Sequence, residues 1–422
     1  MGWPAGGKRG EAASPSDSER GWGPASTGER GAGRAGGTHK AEGAFYLWRA
    51  EEIDALLGED ATIVKLRFGI EPGGNAPIDP QQEFTGKNLL YVARSVDDIV
   101  QRTGKSAGDI LDALNRARAR LFQTRLGRPR PHRDDKVLTA WNGLMIAAFA
   151  RMARVGRARS GEDTGSPGRA DAAAPYLQAA RRAAAFLRQR VWNSATSTLL
   201  RRYRDGHADI DAYAEDYAYL IYGLLELFQA DADPAWLEWA IALQRRQDEL
   251  FWDEVDAGWF STTGRDASVL LRMKEDYDGA EPTASSVSVL NLLVLSHLVE
   301  DPRWTECVDR TLRLFGSRLE QMGRAVPMMA AALSTYLAGM RQIVIVGDGG
   351  DDVLERAVAS RYLPFAITLR LTAESQRALA ATLPFIAAMH PVDGAAAAYV
   401  CRDFSCRAPV TTVKALEKEI SG

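Results

Sequence analysis

The stretch DYDGAEPTASSVSVLNLLVLSHL, Asp276–Leu298, decides the fold because its second half has no polar face. Val287, Val289, Leu290, Leu292, Leu293, Val294 and Leu295 distribute apolar side chains almost all round a helix, the pattern of an inner helix buried on every side. Its first half is the opposite. Asp276, Tyr277, Asp278 and Glu281 crowd the entrance, and Pro282 suits a first helical position.

Two further helices begin in the same way. HRDDK (132–136) leads into an apolar helix from Val137 onward, and HADIDAYAEDYAYLIYGLLELF (207–228) carries Glu215 and Asp216 at its start. A carboxylate at a helix N-terminus is favoured by the unpaired N–H groups and the macrodipole, so capping accounts for any one of these acids. Asp216 asks for more. It lies on the edge of the stripe formed by Tyr217, Leu220, Ile221, Leu224, Leu225 and Phe228, where a carboxylate needs a partner or a polar cavity. The run Val137, Leu138, Trp141, Leu144, Met145, Ala148, Phe149 and Met152 follows helical spacing, which predicts Trp141 on the inward stripe and Asn142 turned away from it. Gly143 in the same helix points to close approach of a second backbone or a ligand.

Further helices are predicted over Tyr176–Val191, Ala212–Phe228, Pro234–Phe251, Ala284–Leu298, Arg303–Met322 and Val326–Arg341. VWNSATSTLLRRYRDG (191–206) and FWDEVDAGWFSTTG (251–264) each follow a helix, open on Trp-Asn or Trp-Asp, and can form a short hairpin. This repeat of helix pairs with uneven loops predicts a mainly α fold, an (α/α)6 toroid over residues 39–341, with a small α/β segment over 342–422 read from QIVIVGDGGDD, AITLRLT and AAAAYVCRDFSC. The GDGGDD turn lacks the ending of a phosphate loop and the G-x-G-x-x-G pattern, so no nucleotide is expected there. Residues 1–38 are Gly, Ala, Ser, Pro and charge, which predicts disorder or a mis-assigned start, and Gly156–Pro175 reads as an exposed insertion.

Bulk properties narrow the function. The 422 residues are 46% apolar and 25% charged with a net charge of −3, which disfavours a nucleic-acid partner. No run of 18 apolar residues and no signal-peptide pattern occurs, so neither a membrane partner nor export is expected and the cytoplasm is the predicted location; the oligomeric state is not legible. The histidines, His39, His132, His207, His297 and His390, have no ligand spacing, and neither a metal nor another cofactor is expected. Cys401 and Cys406, five apart, read as a pair of buried thiols.

If inner helices run in one direction, their three acidic entrances open on one funnel. Carboxylates with Tyr and Trp in a concave site suit a sugar-like small-molecule ligand, and glycoside hydrolysis requires a pair of carboxyl groups, one protonated and one ionised. The candidate catalytic residues are Asp216, Glu281, Asp278 and Glu215, with Asp135 as a further carboxylate; His132, Asp135, Lys136, Trp141, Asn142, Tyr217 and Tyr277 are the candidate substrate-binding residues.

Five ordered stretches also carry a resemblance: THKAEGAFYLW (38–48), RPRPHRDDKVLTAWNGLMIAAFARM (128–152), EDYAYLIYGLLELFQ (215–229), DYDGAEPTASSVSVLNLL (276–293) and AYVCRDFSCRAPV (398–410). Together they resemble the thioredoxin-domain-bearing spermatogenesis-associated protein family and its bacterial relatives. The resemblance implies a six-hairpin glycosidase-like toroid, similar in fold to N-acylglucosamine 2-epimerases, and a link to carbohydrate metabolism. Two departures stand out. The family's N-terminal thioredoxin-like domain with its cysteine motif has no counterpart here, since no cysteine precedes Cys307, and Ser285 stands where the family's S-x-N-S-V pattern has Asn. The reading is therefore a sugar hydrolase or isomerase working through carboxylates, or else a non-catalytic ligand- or partner-binding remnant of a two-domain protein.

Overall fold

The computed structural model describes residues 44–76, 84–131, 133–157, 173–347, 353–402 and 405–421. The low-complexity N-terminus, most of the 156–175 insertion, the tip of the GDGGDD turn and His132 lie outside them. The chain divides into two compact units at Arg133/Asp134. Residues 342–422 fall within the second unit.

The first unit holds α1 (Ala50–Leu57), α2 (Ala61–Phe68), α3 (Val96–Thr103) and α4 (Ala107–Leu126). Ser95 and Ser106 cap α3 and α4 by accepting the Asp98 and Asp109 N–H groups. Trp48, Ile53, Val64, Ile70 and Leu121 form one apolar cluster, and Ile63, Ile99 and Ile110 another.

The second unit begins with β1 (Val137–Leu138), α5 (Thr139–Arg157), α6 (Ala174–Arg190), β2 (Trp192–Asn193), β3 (Thr198–Arg204) and β4 (His207–Asp211). There follow α7 (Ala214–Asp231), α8 (Pro234–Phe251), α9 (Ala284–Leu298), α10 (Pro302–Leu314), α11 (Gly316–Met322) and α12 (Pro327–Ala338). Helices α5, α7, α9 and α12 pack on one another in sequence, while α6, α8 and α10 back them from outside. This alternation is the construction of an (α/α)6 toroid and bears out the mainly α class. The burial agrees with it: Val287, Val289, Leu292 and Leu295 of α9 are all sealed from solvent, as are Leu220, Ile221, Leu224 and Phe228 of α7. The Arg303–Met322 helix is broken at Phe315, whose buried ring turns the chain between α10 and α11.

The inward face of α5 differs from the expected one. Trp141, Met145 and Met152 are exposed, and the buried stripe is Ala140, Gly143, Ile146, Ala147, Ala150 and Ala153. Small side chains let α5 meet α7 backbone to backbone. A Cβ on Gly143 would lie 2.5 Å from the Tyr219 carbonyl carbon and 2.6 Å from the Leu220 nitrogen, and one on Gly223 would strike the Gly143 carbonyl. Volume, not hydrophobicity, selects the face here.

Three tryptophans and an acid mark the outer layer between α8 and α10. Asp248 is buried and accepts hydrogen bonds from the Trp259 indole (3.0 Å), the Gln244 amide (2.9 Å) and the Trp304 indole (3.2 Å). Trp252 stacks edge-on against Trp259, closing the second predicted hairpin through an isolated bridge.

The C-terminal segment comprises β5 (Arg341–Val346), α13 (Val353–Ala359), β6 (Ala366–Leu371), α14 (Ala373–Leu379), β7 (Ala397–Arg402), β8 (Ser405–Cys406) and α15 (Val413–Ser421), with strand order β6-β5-β7-β8. Strand alternation sends Ile343 and Ile345 of β5 toward α13 and α15, and Val344 and Val346 into the main helical core. Arg154 of α5 bridges Glu226 and Gln229 of α7 to Thr368 of β6, so this segment is fixed on the helices. The two thiols are corrected by the register: Cys401 and Cys406 face each other across β7 and β8 and are joined by a disulfide, with Cys401 buried and Cys406 exposed.

Candidate functional site

The starts of α5, α7 and α9 come together. Asp216, in the first turn of α7, accepts the Tyr213 N–H (3.0 Å) and, across to α5, the Ala140 N–H (3.1 Å). Trp141, one residue further along α5, donates its indole N–H to Glu281 at 2.6 Å, which ties α5 to the loop preceding α9. Tyr219 of α7 donates its hydroxyl to the Pro282 carbonyl in that loop. Thr283, not Pro282, caps α9, accepting the Ser286 N–H at 3.0 Å.

A cleft of about 590 Å³ opens over this junction, lined by Arg201, Glu215, Tyr219, Lys274, Glu275, Tyr277 and Glu281 among others. Its size is that of a small-ligand site. Glu215 and Glu281 come from the predicted set, as does Tyr277, whose ring is 62% exposed. Arg201, Tyr219, Lys274 and Glu275 were not foreseen. Arg201 was legible in one respect: two residues on from the buried Leu199 it shares that residue's face of β3, the inward side of a hairpin beside two acids.

Charge in the cleft is unevenly matched. Arg201 Nη1 is shared between Glu215 (2.8 Å) and Asp216 (2.9 Å), and its guanidinium lies 4.4 Å from the Tyr213 ring centre. Lys274 donates to Asp253 (2.8 Å) and to the Ala257 carbonyl (3.0 Å). Burial first, and then the like charges of Glu215 and Glu281, hold the Glu275 carboxyl above its ordinary range. Burial and the surrounding acids Glu281, Glu215, Glu275 and Asp278 likewise raise the Tyr219 hydroxyl. Burial pushes Asp216 up to about 7 against the pull of Arg201 and of its two backbone donors.

Several expected site residues do other work. Asp216 has no solvent exposure, and its oxygens are taken by Ala140, Tyr213 and Arg201, so it joins helix starts instead of meeting a ligand. Asp278 is spent in the same manner, accepting the Thr283 N–H and the Met328 N–H, each at 2.8 Å. Tyr217 is buried against Phe251, and its hydroxyl accepts the Leu199 N–H (3.3 Å). Asn142 donates to the Leu138 carbonyl at 2.8 Å. Asp135 and Lys136 pair with Arg204 and Asp134, each at 3.2 Å, and do not line the cleft. Ser285, where the family pattern has Asn, accepts the Trp259 N–H at 3.1 Å and is buried.

Among the described residues no group of three or more His, Cys, Asp or Glu side chains is disposed to hold a metal ion, and no helix is long and apolar enough to cross a membrane. No family model matches the sequence. Spermatogenesis-associated protein 20 of Homo sapiens is 33% identical over 406 residues, covering 90% of this chain and 50% of the human protein. The Mus musculus protein of the same name is 31% identical with the same coverage. The chain thus spans about half the length of these relatives. Among solved structures, cellobiose 2-epimerase from Spirochaeta thermophila overlaps 41% of this chain and 42% of its own (TM-score 0.29, 17% identity). An inactive variant of an alpha-1,6-mannanase from a Salegentibacter species, in complex with alpha-1,6-mannotetrose, overlaps 64% of this chain and 70% of its own (TM-score 0.32, 13% identity). Over the half of their length that it spans, the chain is homologous to spermatogenesis-associated protein 20.

Proposed function

We propose that the cleft over the starts of α5, α7 and α9 binds a carbohydrate and acts on it by carboxylate acid–base chemistry, hydrolysing a glycosidic bond or isomerising a sugar. One observation carries this reading: Glu215, Glu275 and Glu281 meet in a ligand-sized cleft beside Tyr219 and Tyr277, and burial, with the repulsion of the other two acids, raises Glu275. A carboxyl so raised is suited to deliver a proton to a leaving oxygen, while Glu281, steadied by the Trp141 indole, is suited to act as base or nucleophile. Exposed aromatic rings supply flat surfaces for sugar C–H faces.

The experiment is product analysis against a panel of di- and oligosaccharides, scoring reducing-sugar release and epimer formation. Wild type turns over at least one member, and Glu275→Gln and Glu281→Gln each lose at least about a hundredfold, the lower range for general acid–base catalysis. Turnover undiminished in both variants sinks the assignment. A second reading, ligand binding without turnover, has its own support: Arg201 neutralises Glu215, and Asp216 and Asp278 are bound to backbone. It predicts thermal stabilisation by a sugar that is never converted.

A further inference from the structure

Resting on the carbohydrate reading, we infer that the preferred ligand carries a positive charge, as an amino sugar with a free ammonium group, and that acidic sugars are excluded. Among the described residues the cleft has two cations on its wall, and both are already engaged. Arg201 is divided between Glu215 and Asp216, and Lys274 between Asp253 and the Ala257 carbonyl. Asp276, also on the cleft wall, is paired with Arg318. Among the described residues that leaves Glu275 and Glu281, the latter held by a neutral indole donor. The influences that raise Glu275 are burial and two further carboxylates, with no cation among them.

An ammonium group placed between these carboxylates relieves their repulsion, whereas a uronate, sulfate or phosphate adds to it. The aromatic lining favours the same charge. Tyr277 lines the cleft and is 62% exposed, so its ring is open to a cation, and the exposed Trp141 indole adjoins the cleft through its bond to Glu281. A neutral sugar can satisfy the hydroxyl-accepting role of the carboxylates but leaves their charge uncompensated.

Calorimetric titration of the full chain at pH 6 and low salt discriminates. The probes are the free-amine disaccharide of glucosamine, its N,N′-diacetyl form, cellobiose, and a matched disaccharide ending in a uronic acid. The free amine binds more tightly than the diacetyl form by up to about fivefold, since a partly exposed ion pair is worth up to about 1 kcal/mol. That advantage shrinks in 0.5 M salt and disappears in Glu275→Gln, which keeps the shape of the site. Should Glu275→Gln melt early, Glu281→Gln provides the same comparison. Equal affinity for the amine and diacetyl forms, or tighter binding of the uronate, overturns the inference while leaving a sugar site in place. Failure of every sugar to bind removes the carbohydrate reading itself.

Discussion

Replacing Gly143 by Ala tests the contact on which the site's geometry rests. The new methyl would sit 2.5 Å from the Tyr219 carbonyl carbon and 2.6 Å from the Leu220 nitrogen, against an ordinary contact of 3.4 Å or more, so the helices must part by about 0.9 Å. Backbone cannot rotate aside as a side chain can. Overpacking of this kind costs roughly 1–3 kcal/mol, and rigid neighbours place this case at the upper end. Ala returns about 1 kcal/mol through its better helix propensity, leaving a net loss of about 2 kcal/mol. In a domain of this size that lowers Tm by roughly 4–8 °C. Gly316→Ala is the control, because nothing lies within 4 Å of its added methyl; its stability should hold or rise by up to about 1 kcal/mol. Thermal and urea unfolding followed by circular dichroism read both variants. A Gly143→Ala protein as stable as wild type would refute the backbone contact and, with it, the fixed spacing of Ala140 and Trp141 from Asp216 and Glu281.

Asp278→Ala strips two backbone N–H groups of their acceptor and should cost about 2–4 kcal/mol, seen as a lowered urea midpoint; a loss under about 0.5 kcal/mol would mean the Thr283 and Met328 contacts do not form. Asp248 is pushed by burial up to about 6 although two indoles and an amide bond it. Its folded value thus exceeds the unfolded one near 3.9, so its stabilising contribution is complete below about pH 4 and is lost as pH rises through about 6. The stability gap between wild type and Asp248→Asn should accordingly shrink between pH 4 and 7, and parallel pH curves for the two proteins would contradict the burial argument.

Much of the architecture was legible because local signals agreed with one another. Asp233 and Pro234 start α8, Thr283 starts α9, and both helices span the expected residues, Pro234–Phe251 and Ala284–Leu298. The strands of the C-terminal segment lie where QIVIV, AITLRLT and AAAAYVCRDFSC read as its strand-bearing stretches. Periodicity failed at α5, where it counted Trp141 and Met145 as core by their hydrophobicity; close helix contact instead selects Ala and Gly, and the large residues face outward. The site was half legible for a related reason. Helix starts announced Glu215 and Glu281, but Arg201 and Glu275 reach the cleft from a hairpin and a loop whose proximity only tertiary packing creates. Nor could spacing distinguish carboxylates that face a cleft from Asp216 and Asp278, which bind backbone, because all four occupy the same kind of acidic entrance.

The loop from Asp276 to Thr283 is held from three sides: Asp276 to Arg318, Asp278 to the first turn of α12, and the Pro282 carbonyl to Tyr219. A wall braced in this way arrives at the encounter already in its bound shape. Little conformational freedom is left for a ligand to quench, so association should proceed as lock-and-key docking, with discrimination between ligands expressed in how long each stays and not in how fast each enters.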